Sequence, residues 1–164
     1  MLIIEKLSDS QALIEQAIQA IATIETQVQL QDAWTYETLV ELFEQDSIDM
    51  IIVYDEPQEK KTNHKKVVGY CLYQVMFEQA EILRIGTRPD YQRQGVASRI
   101  FATLEGELLD KQVESLLLEV RADNAPAIAL YEQQKFINIH KRQGYYRIPN
   151  QPAIDALIMQ RVYN

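Results

Sequence analysis

Cysteine is almost absent: Cys71 stands alone among 164 residues, so no internal disulfide can form and the thiol content gives no sign of secretion. Long apolar runs are absent as well. Nothing approaches the roughly 18 consecutive apolar residues of a membrane helix, and residues 1–6 offer only Leu2, Ile3 and Ile4 before Glu5, too little for a signal peptide. No stretch is monotonous and no repeat recurs at a fixed spacing, which argues against solenoids and disordered tails. Positive charge is in deficit. With 16 Lys and Arg against 24 Asp and Glu, the net charge of −8 opposes nonspecific attachment to nucleic acid and favours approach of a basic partner. The two histidines, His64 and His140, have no Cys, Asp or Glu at ligand spacing, so no metal site is expected. A cytoplasmic protein with no membrane attachment and no direct nucleic-acid binding is the expectation.

What is present suits one compact domain over 1–164: 47% apolar and 24% charged side chains, enough for a core of ordinary size. Residues 2–6 read as a strand. Ser8 then opens a helix with Gln11 at capping-box spacing, and Leu13, Ile14, Ala17, Ile18, Ile21 and Ile24 recur at helical period as a core face. A second helix starts near Thr35, with Tyr36, Leu39, Val40 and Phe43 on one side and Trp34 before it as a packing anchor. Residues 50–54, 67–75 and 80–87 read as strands, the first two joined by a polar, solvated stretch. The pattern then becomes helix 98–110, strand 115–121, helix 125–134 and strands 136–143 and 154–162. Hairpins followed by β-α-β units imply an α/β (α+β) fold: a mixed, mostly antiparallel sheet of about seven strands with helices on both faces.

Two segments carry candidate chemistry. Between strand 80–87 and the next helix lies Gln92-Arg93-Gln94-Gly95-Val96-Ala97. Gly95 permits close approach or positive φ, the helix start presents unpaired N–H groups, and Arg93 and Arg99 add charge, all of which suit a phosphate. Screening to about 8 Å at physiological salt lets such a site work on an acidic protein. A lone glycine between strand and helix is also, more simply, a turn. In strand 115–121, alternation puts Leu117, Glu119 and Arg121 on one face. A carboxylate there needs a partner or a task, and an ion pair with Arg121 or with a lysine across the sheet would be sufficient. Asn124 before Ala125-Pro126 is helix-capping chemistry, and Tyr131 reads as a core aromatic beside Leu130.

The order Gln-x-x-Gly-x-Ala, then Leu116-Leu117-Leu118-Glu119-Val120-Arg121, Asn124, Ala129-Leu130-Tyr131-Glu132 and Phe136 resembles the GCN5-related N-acetyltransferase (GNAT) superfamily. Within it, the sequence resembles the bacterial ribosomal-protein-alanine N-acetyltransferases of the RimI type. The likeness is dense over 81–136, resumes at Tyr145-Tyr146 and 155–159, and is weak before residue 65. It implies a sheet splayed in the middle and acetyl-CoA as cosubstrate. Main-chain groups of Ile85, Gly86 and Thr87 would pair with the pantetheine arm, the loop Arg93, Gln94, Gly95, Val96, Ala97 and Ser98 would cradle the pyrophosphate, and Asn124 would bond the cofactor. Glu119 would act as general base through water and Tyr131 would protonate the departing thiolate, with Tyr145 and Tyr146 near the acceptor in a closing segment, 143–155.

Three residues depart from the family pattern: Lys135 replaces the usual glycine, and Arg84 and Gly86 replace the usual asparagine and alanine. Left-handed backbone at Lys135 would cost about 1 kcal/mol; otherwise the helix ends differently and Phe136 shifts. The expected acceptor is the N-terminal α-amine of a protein, an alanine on a small-subunit ribosomal protein. An α-amine has a reference pKa near 8 against about 10.4 for lysine, so more of it is neutral. Two rivals are a GNAT enzyme for a small-molecule or lysine amine, and a non-catalytic CoA-binding module, which the presence of both Glu119 and Tyr131 disfavours.

Overall fold

The computed structural model describes residues 1–7, 10–29, 32–57 and 65–163. In chain order these form β1 (Leu2–Lys6), α1 (Gln11–Val28), α2 (Tyr36–Phe43), β2 (Ile48–Asp55), β3 (Lys66–Met76), β4 (Gln79–Thr87), α3 (Val96–Asp110), β5 (Ser115–Arg121), α4 (Ala125–Gln133), β6 (Ile137–Tyr146) and β7 (Ile154–Val162). The seven strands are ordered β1-β2-β3-β4-β5-β7-β6. β1–β2, β2–β3, β5–β7 and β6–β7 are antiparallel and β4–β5 is parallel, the mixed sheet expected from the sequence. The expected capping role of Ser8, the ligand potential of His64 and most of the polar β2–β3 connection lie outside the described residues.

The chain packs as two compact units, Met1–Gln74 with Leu83–Glu107, and Val75–Ile82 with Leu108–Asn164. In the first, α1 and α2 lie on one face of the strands: Ala17, Ile18, Ile21, Ile24 and Leu39 pack with Met50, Ile52, Tyr70 and Leu72. Each large apolar chain so buried contributes about 2 kcal/mol. The buried face of α1 centres on positions 14, 18, 21 and 25, so Leu13 falls at its margin, 46% exposed, and Glu25 falls within it, fully buried. Ser10 precedes the helix in extended backbone with no side-chain cap, whereas Thr35 caps α2 by accepting from the Thr38 N–H. The other face receives α3, since a β-carbon on Gly69 would strike Val96 and approach Ile100.

In the second unit β5 alternates as expected, with Leu116, Leu118 and Val120 buried. β6 runs to Tyr146 rather than ending at 143. Gly144, at φ 59, donates its N–H to Asp155 Oδ1 at 2.8 Å, and pairing resumes at Tyr146 with Ile154. Tyr145 and Tyr146 therefore belong to a strand, and the closing segment shrinks to the turn after them. α4 ends in the left-handed turn that a glycine would favour, despite Lys135. That residue sits at φ 69, donates to the Glu132 carbonyl at 3.0 Å, and Phe136 donates to the Tyr131 carbonyl at 3.0 Å. This is a Schellman termination, and it holds Phe136 at 2% exposure with its ring edge-on to Tyr131, 6.0 Å between centroids. Glycine carries no β-carbon penalty at such a φ. Lys135→Gly is expected to raise stability by about 1 kcal/mol in urea unfolding followed by circular dichroism.

Candidate active site

The loop after β4 is shaped by backbone handedness. A 3-10 turn at Pro89–Tyr91 leads into left-handed backbone at Arg93 (φ 61) and Gly95 (φ 81). A β-carbon on Gly95 would meet nothing within 4 Å, so glycine is required there by its φ and not by crowding. The Gly95 carbonyl accepts the Arg99 N–H at 3.1 Å, the first α-helical bond of α3. Val96, Ala97 and Ser98 are thus the first turn of the helix, two residues ahead of the expected start, and their N–H groups precede the helical ladder. A first turn without acidic residues gives a positive end suited to an anion. Side-chain amides brace the loop, Gln92 donating to the Thr87 carbonyl at 3.3 Å and Gln94 to the Asp90 carbonyl at 3.1 Å.

The strand feeding this loop changes its pairing along its length. The β4–β5 ladder comprises Gln79 with Ser115, Ala80 with Leu116 and Glu81 with Leu117, and stops there. Past that point β4 contains Ile85, Gly86 and Thr87, whose main chain is not used by that ladder, among the described residues. An extended ligand can take up such groups as a further strand would.

Beside them lies a polar cluster the sequence reading missed. Glu25, buried on α1, accepts the Tyr70 hydroxyl at 2.5 Å and the Trp34 main-chain N–H at 3.1 Å, and pairs with Arg84 Nε at 3.3 Å. Arg84 stacks on the Trp34 ring at 4.3 Å and also bonds the Asp32 carbonyl and carboxylate. A β-carbon on Gly86 would fall inside the Tyr70 phenol. Burial first, then the Glu25 charge, pushes the Tyr70 hydroxyl far above the usual tyrosine range, which keeps it a donor. The two departures at Arg84 and Gly86 thus serve one arrangement.

The second unit gathers the remaining site residues. Glu119, with 24% of its side chain exposed, accepts the Tyr146 hydroxyl at 2.8 Å through Oε1 and faces Arg142 at 3.6 Å through Oε2. The expected partner Arg121 is instead engaged bidentately by Asp123, at 3.1 and 3.0 Å, a carboxylate only two residues away. No lysine takes its place at Glu119 among the described ion pairs. Tyr145, exposed, sets its ring edge-on to Tyr146 at 5.2 Å and under Arg142 at 5.4 Å. Of the residues read from sequence, Glu119 and Tyr146 are therefore joined directly, with Tyr145 beside them. Arg142 was missed. The basic run His140-Lys141-Arg142 in an acidic chain was its available signal. Asn124 caps α4 by accepting the Ala127 N–H at 3.3 Å, and Tyr131 is buried at 8% exposure. Among the described residues no three His, Cys, Asp or Glu side chains are grouped to hold a metal.

A seven-stranded mixed sheet whose central parallel ladder is three pairs long, with a glycine turn leading into the helix after β4, defines an acetyltransferase-type fold. The chain belongs to the acetyltransferase (GNAT) family, whose model matches residues 12–136. It is 40% identical over 98 residues to the [ribosomal protein bS18]-alanine N-acetyltransferase of Escherichia coli K12, a match covering 60% of this chain and 66% of that protein. It is 33% identical over 108 residues to an N-alpha-acetyltransferase of Saccharolobus solfataricus, covering 58% of this chain and 62% of that one. Its fold matches the crystal structure of the ribosomal-protein-S18-alanine N-acetyltransferase from Escherichia coli with a TM-score of 0.79 at 28% identity, over 99% of this chain and 94% of that one. Ard1 from Thermoplasma volcanium, at 22% identity and TM-score 0.77, shares the fold over 99% of this chain and 98% of its own.

Removing one partner of a buried ion pair leaves an uncompensated charge. Arg84→Ala is expected to destabilise by about 3 kcal/mol or more in urea unfolding. Adding Glu25→Gln to that variant recovers part of the loss, because the orphaned charge disappears.

Proposed function

We propose that this chain transfers the acetyl group of acetyl-CoA to the N-terminal α-amine of a protein, the N-terminal alanine of a small-subunit ribosomal protein. The observation that carries the acceptor is the 40% identity to a bS18-alanine N-acetyltransferase. The net charge of −8 supports it, since a ribosomal protein is a basic partner. A ribosomal substrate in turn supports a cytoplasmic site of action, and 1–164 is read as a single N-acetyltransferase domain.

Main-chain groups of Ile85, Gly86 and Thr87 would hold the pantetheine arm, and the N–H groups of Arg93, Gln94, Gly95, Val96, Ala97 and Ser98 the pyrophosphate, with Asn124 as a further contact. The left-handed turns and the helix start support this assignment, as does the short β4–β5 ladder. Glu119 would withdraw a proton from the acceptor through water, with Tyr146 and Arg142 fixing its carboxylate. Tyr131 would give its phenol proton to the leaving thiolate. Tyr145, exposed beside Tyr146, would line the acceptor path.

A thiol-release assay compares a peptide with free N-terminal alanine, the same peptide blocked, and one whose single amine is an internal lysine. Turnover is expected with the first alone, and turnover confined to the lysine peptide would refute the assignment. Tyr131→Phe should lower kcat about 10²-fold while the KM for acetyl-CoA changes little. An unchanged kcat would remove Tyr131 from the chemistry.

A further inference from the structure

The net charge of −8 is not spread evenly over the chain. Residues 7–59 contain no Lys or Arg and half of the 24 Asp and Glu, while the remainder holds all 16 Lys and Arg against the other twelve acids. The whole deficit therefore arises in the segment that builds α1, α2 and β2. Some of its acids are matched within the fold: Glu25 and Asp32 meet Arg84, Asp49 meets Lys6, and Asp55 meets the N-terminal amine. Glu15 on α1 and Glu37, Glu41 and Glu44 along α2 are exposed, and none of the four has an ion-pair partner among the described residues. Glu15 only accepts the Gln11 side-chain amide, at 3.5 Å.

Beside these charges lies an apolar groove. It has a volume of about 410 Å³, is walled by Ile14 and Ile18 of α1 and by Tyr36, Val40 and Phe43 of α2, and has Glu15 and Glu44 as its charged lining. Ile18 belongs to the core, whereas Ile14, Tyr36, Val40 and Phe43 pack against that core while only partly buried. Tyr36, Val40 and Phe43 are spaced i, i+4 and i+7, so they form one stripe of α2; Glu37, Glu41 and Glu44, each one residue on, form the stripe beside it. The apolar stripe is about 10 Å long, two helical turns. This pairing of features selects an occupant. A second copy of the chain would set two acidic faces against each other, and phosphate-bearing surfaces are repelled for the same reason. A basic amphipathic helix fits both features, its apolar side chains in the groove and its Lys and Arg against Glu15, Glu41 and Glu44.

We propose that the groove between α1 and α2 docks a basic amphipathic helix of the acceptor ribosomal protein, in a part of that protein other than its reacting N-terminus. This rests on the acceptor proposed above. The groove lies on the same unit as the proposed cosubstrate edge: Tyr36, at one end, follows two residues after Trp34, whose ring stacks on Arg84, the residue before Ile85. None of its lining residues takes part in the proposed transfer. Docking there raises the concentration of the tethered N-terminal alanine without touching the chemistry, so the intact acceptor is used at lower concentration than its N-terminal peptide while kcat is shared.

The test joins kinetics with a binding measurement that needs no turnover. Acetyl transfer to intact ribosomal protein bS18 and to a peptide of its first residues is compared for the wild type, the double variant Glu15→Lys with Glu44→Lys, and Val40→Gln. Calorimetry then follows binding of intact bS18 whose N-terminus is already acetylated. In the wild type the KM for the intact protein should lie about tenfold or more below that for the peptide and should rise with salt. The double variant should raise the KM for the intact protein about tenfold, weaken binding of the acetylated protein by a similar factor, and leave kcat and KM for the peptide unchanged. Both of its positions are exposed, so unchanged peptide turnover also reports an intact fold. Val40→Gln should act in the same direction through the apolar wall. An intact-protein KM that is the same in the wild type and the double variant overturns the proposal. So does a wild-type mass by light scattering that halves in Val40→Gln, which would give the groove to a second copy. A wild type inert toward both acceptors defeats the proposed transfer, while binding of acetylated bS18, and its loss in the double variant, still decides the docking.

Discussion

Main-chain amides and carbonyls must be paired or hydrated, and β4 satisfies that requirement differently along its length. From Gln79 to Glu81 it is laddered to β5; past Glu81 that ladder ceases. A central strand whose hydrogen-bonding edge is released offers a row of oriented donors and acceptors, which an extended amide-bearing chain can complete without cost to the fold. The left-handed turns at Arg93 and Gly95 lie immediately downstream and add a cluster of N–H groups for the charged end of such a chain. The proposed cosubstrate site follows from this one break in pairing. Side-chain chemistry can vary around it without disturbing it.

The two carboxylates that matter most are stabilised in different ways. Glu25 is fully buried and is met by a hydroxyl, a main-chain N–H and a guanidinium. Its role is structural: it ties α1, the segment at Trp34, β3 and β4 together. Glu119 is partly exposed and has two donors, both from β6. Burial alone does not mark a functional carboxylate. The distinguishing feature is access to solvent, which Glu119 has and Glu25 lacks.

Much of the architecture was legible from period and punctuation. β1, β5 and β7 fall where alternation and their flanking residues put them, and α2 and α4 begin behind the caps Thr35 and Asn124. The start of α3 was less legible because the residue before it, Gly95, has no side chain to announce a cap. β6 outran its expected end because Gly144 absorbs a bulge while the Asp155 carboxylate replaces a lost ladder bond. The site was legible in its reacting types and not in its partners. Arg121 seemed the natural mate of Glu119 by proximity along the strand, yet its guanidinium is held by Asp123, two residues on in the other direction. Arg142 reaches Glu119 only through the registers of β5 with β7 and of β7 with β6, which no local pattern encodes.

The departures from the family pattern at Arg84 and Gly86 show how a site can tolerate change in its wall. Taken one at a time each looks harmful: a cation in place of a neutral amide, and the loss of a methyl from a packed strand. Taken together they form one substitution. Loss of the β-carbon at Gly86 opens room for the Tyr70 phenol, Tyr70 donates to Glu25, and Glu25 supplies the anion that Arg84 requires. The tightness of the fit argues that each change depends on the others, because a methyl at Gly86 would displace the phenol and leave one Glu25 oxygen unpaired in the core. All of this uses side chains. The main-chain groups of Ile85, Gly86 and Thr87, which the proposed cosubstrate would engage, are not among these bonds, so the wall can vary apart from the binding edge.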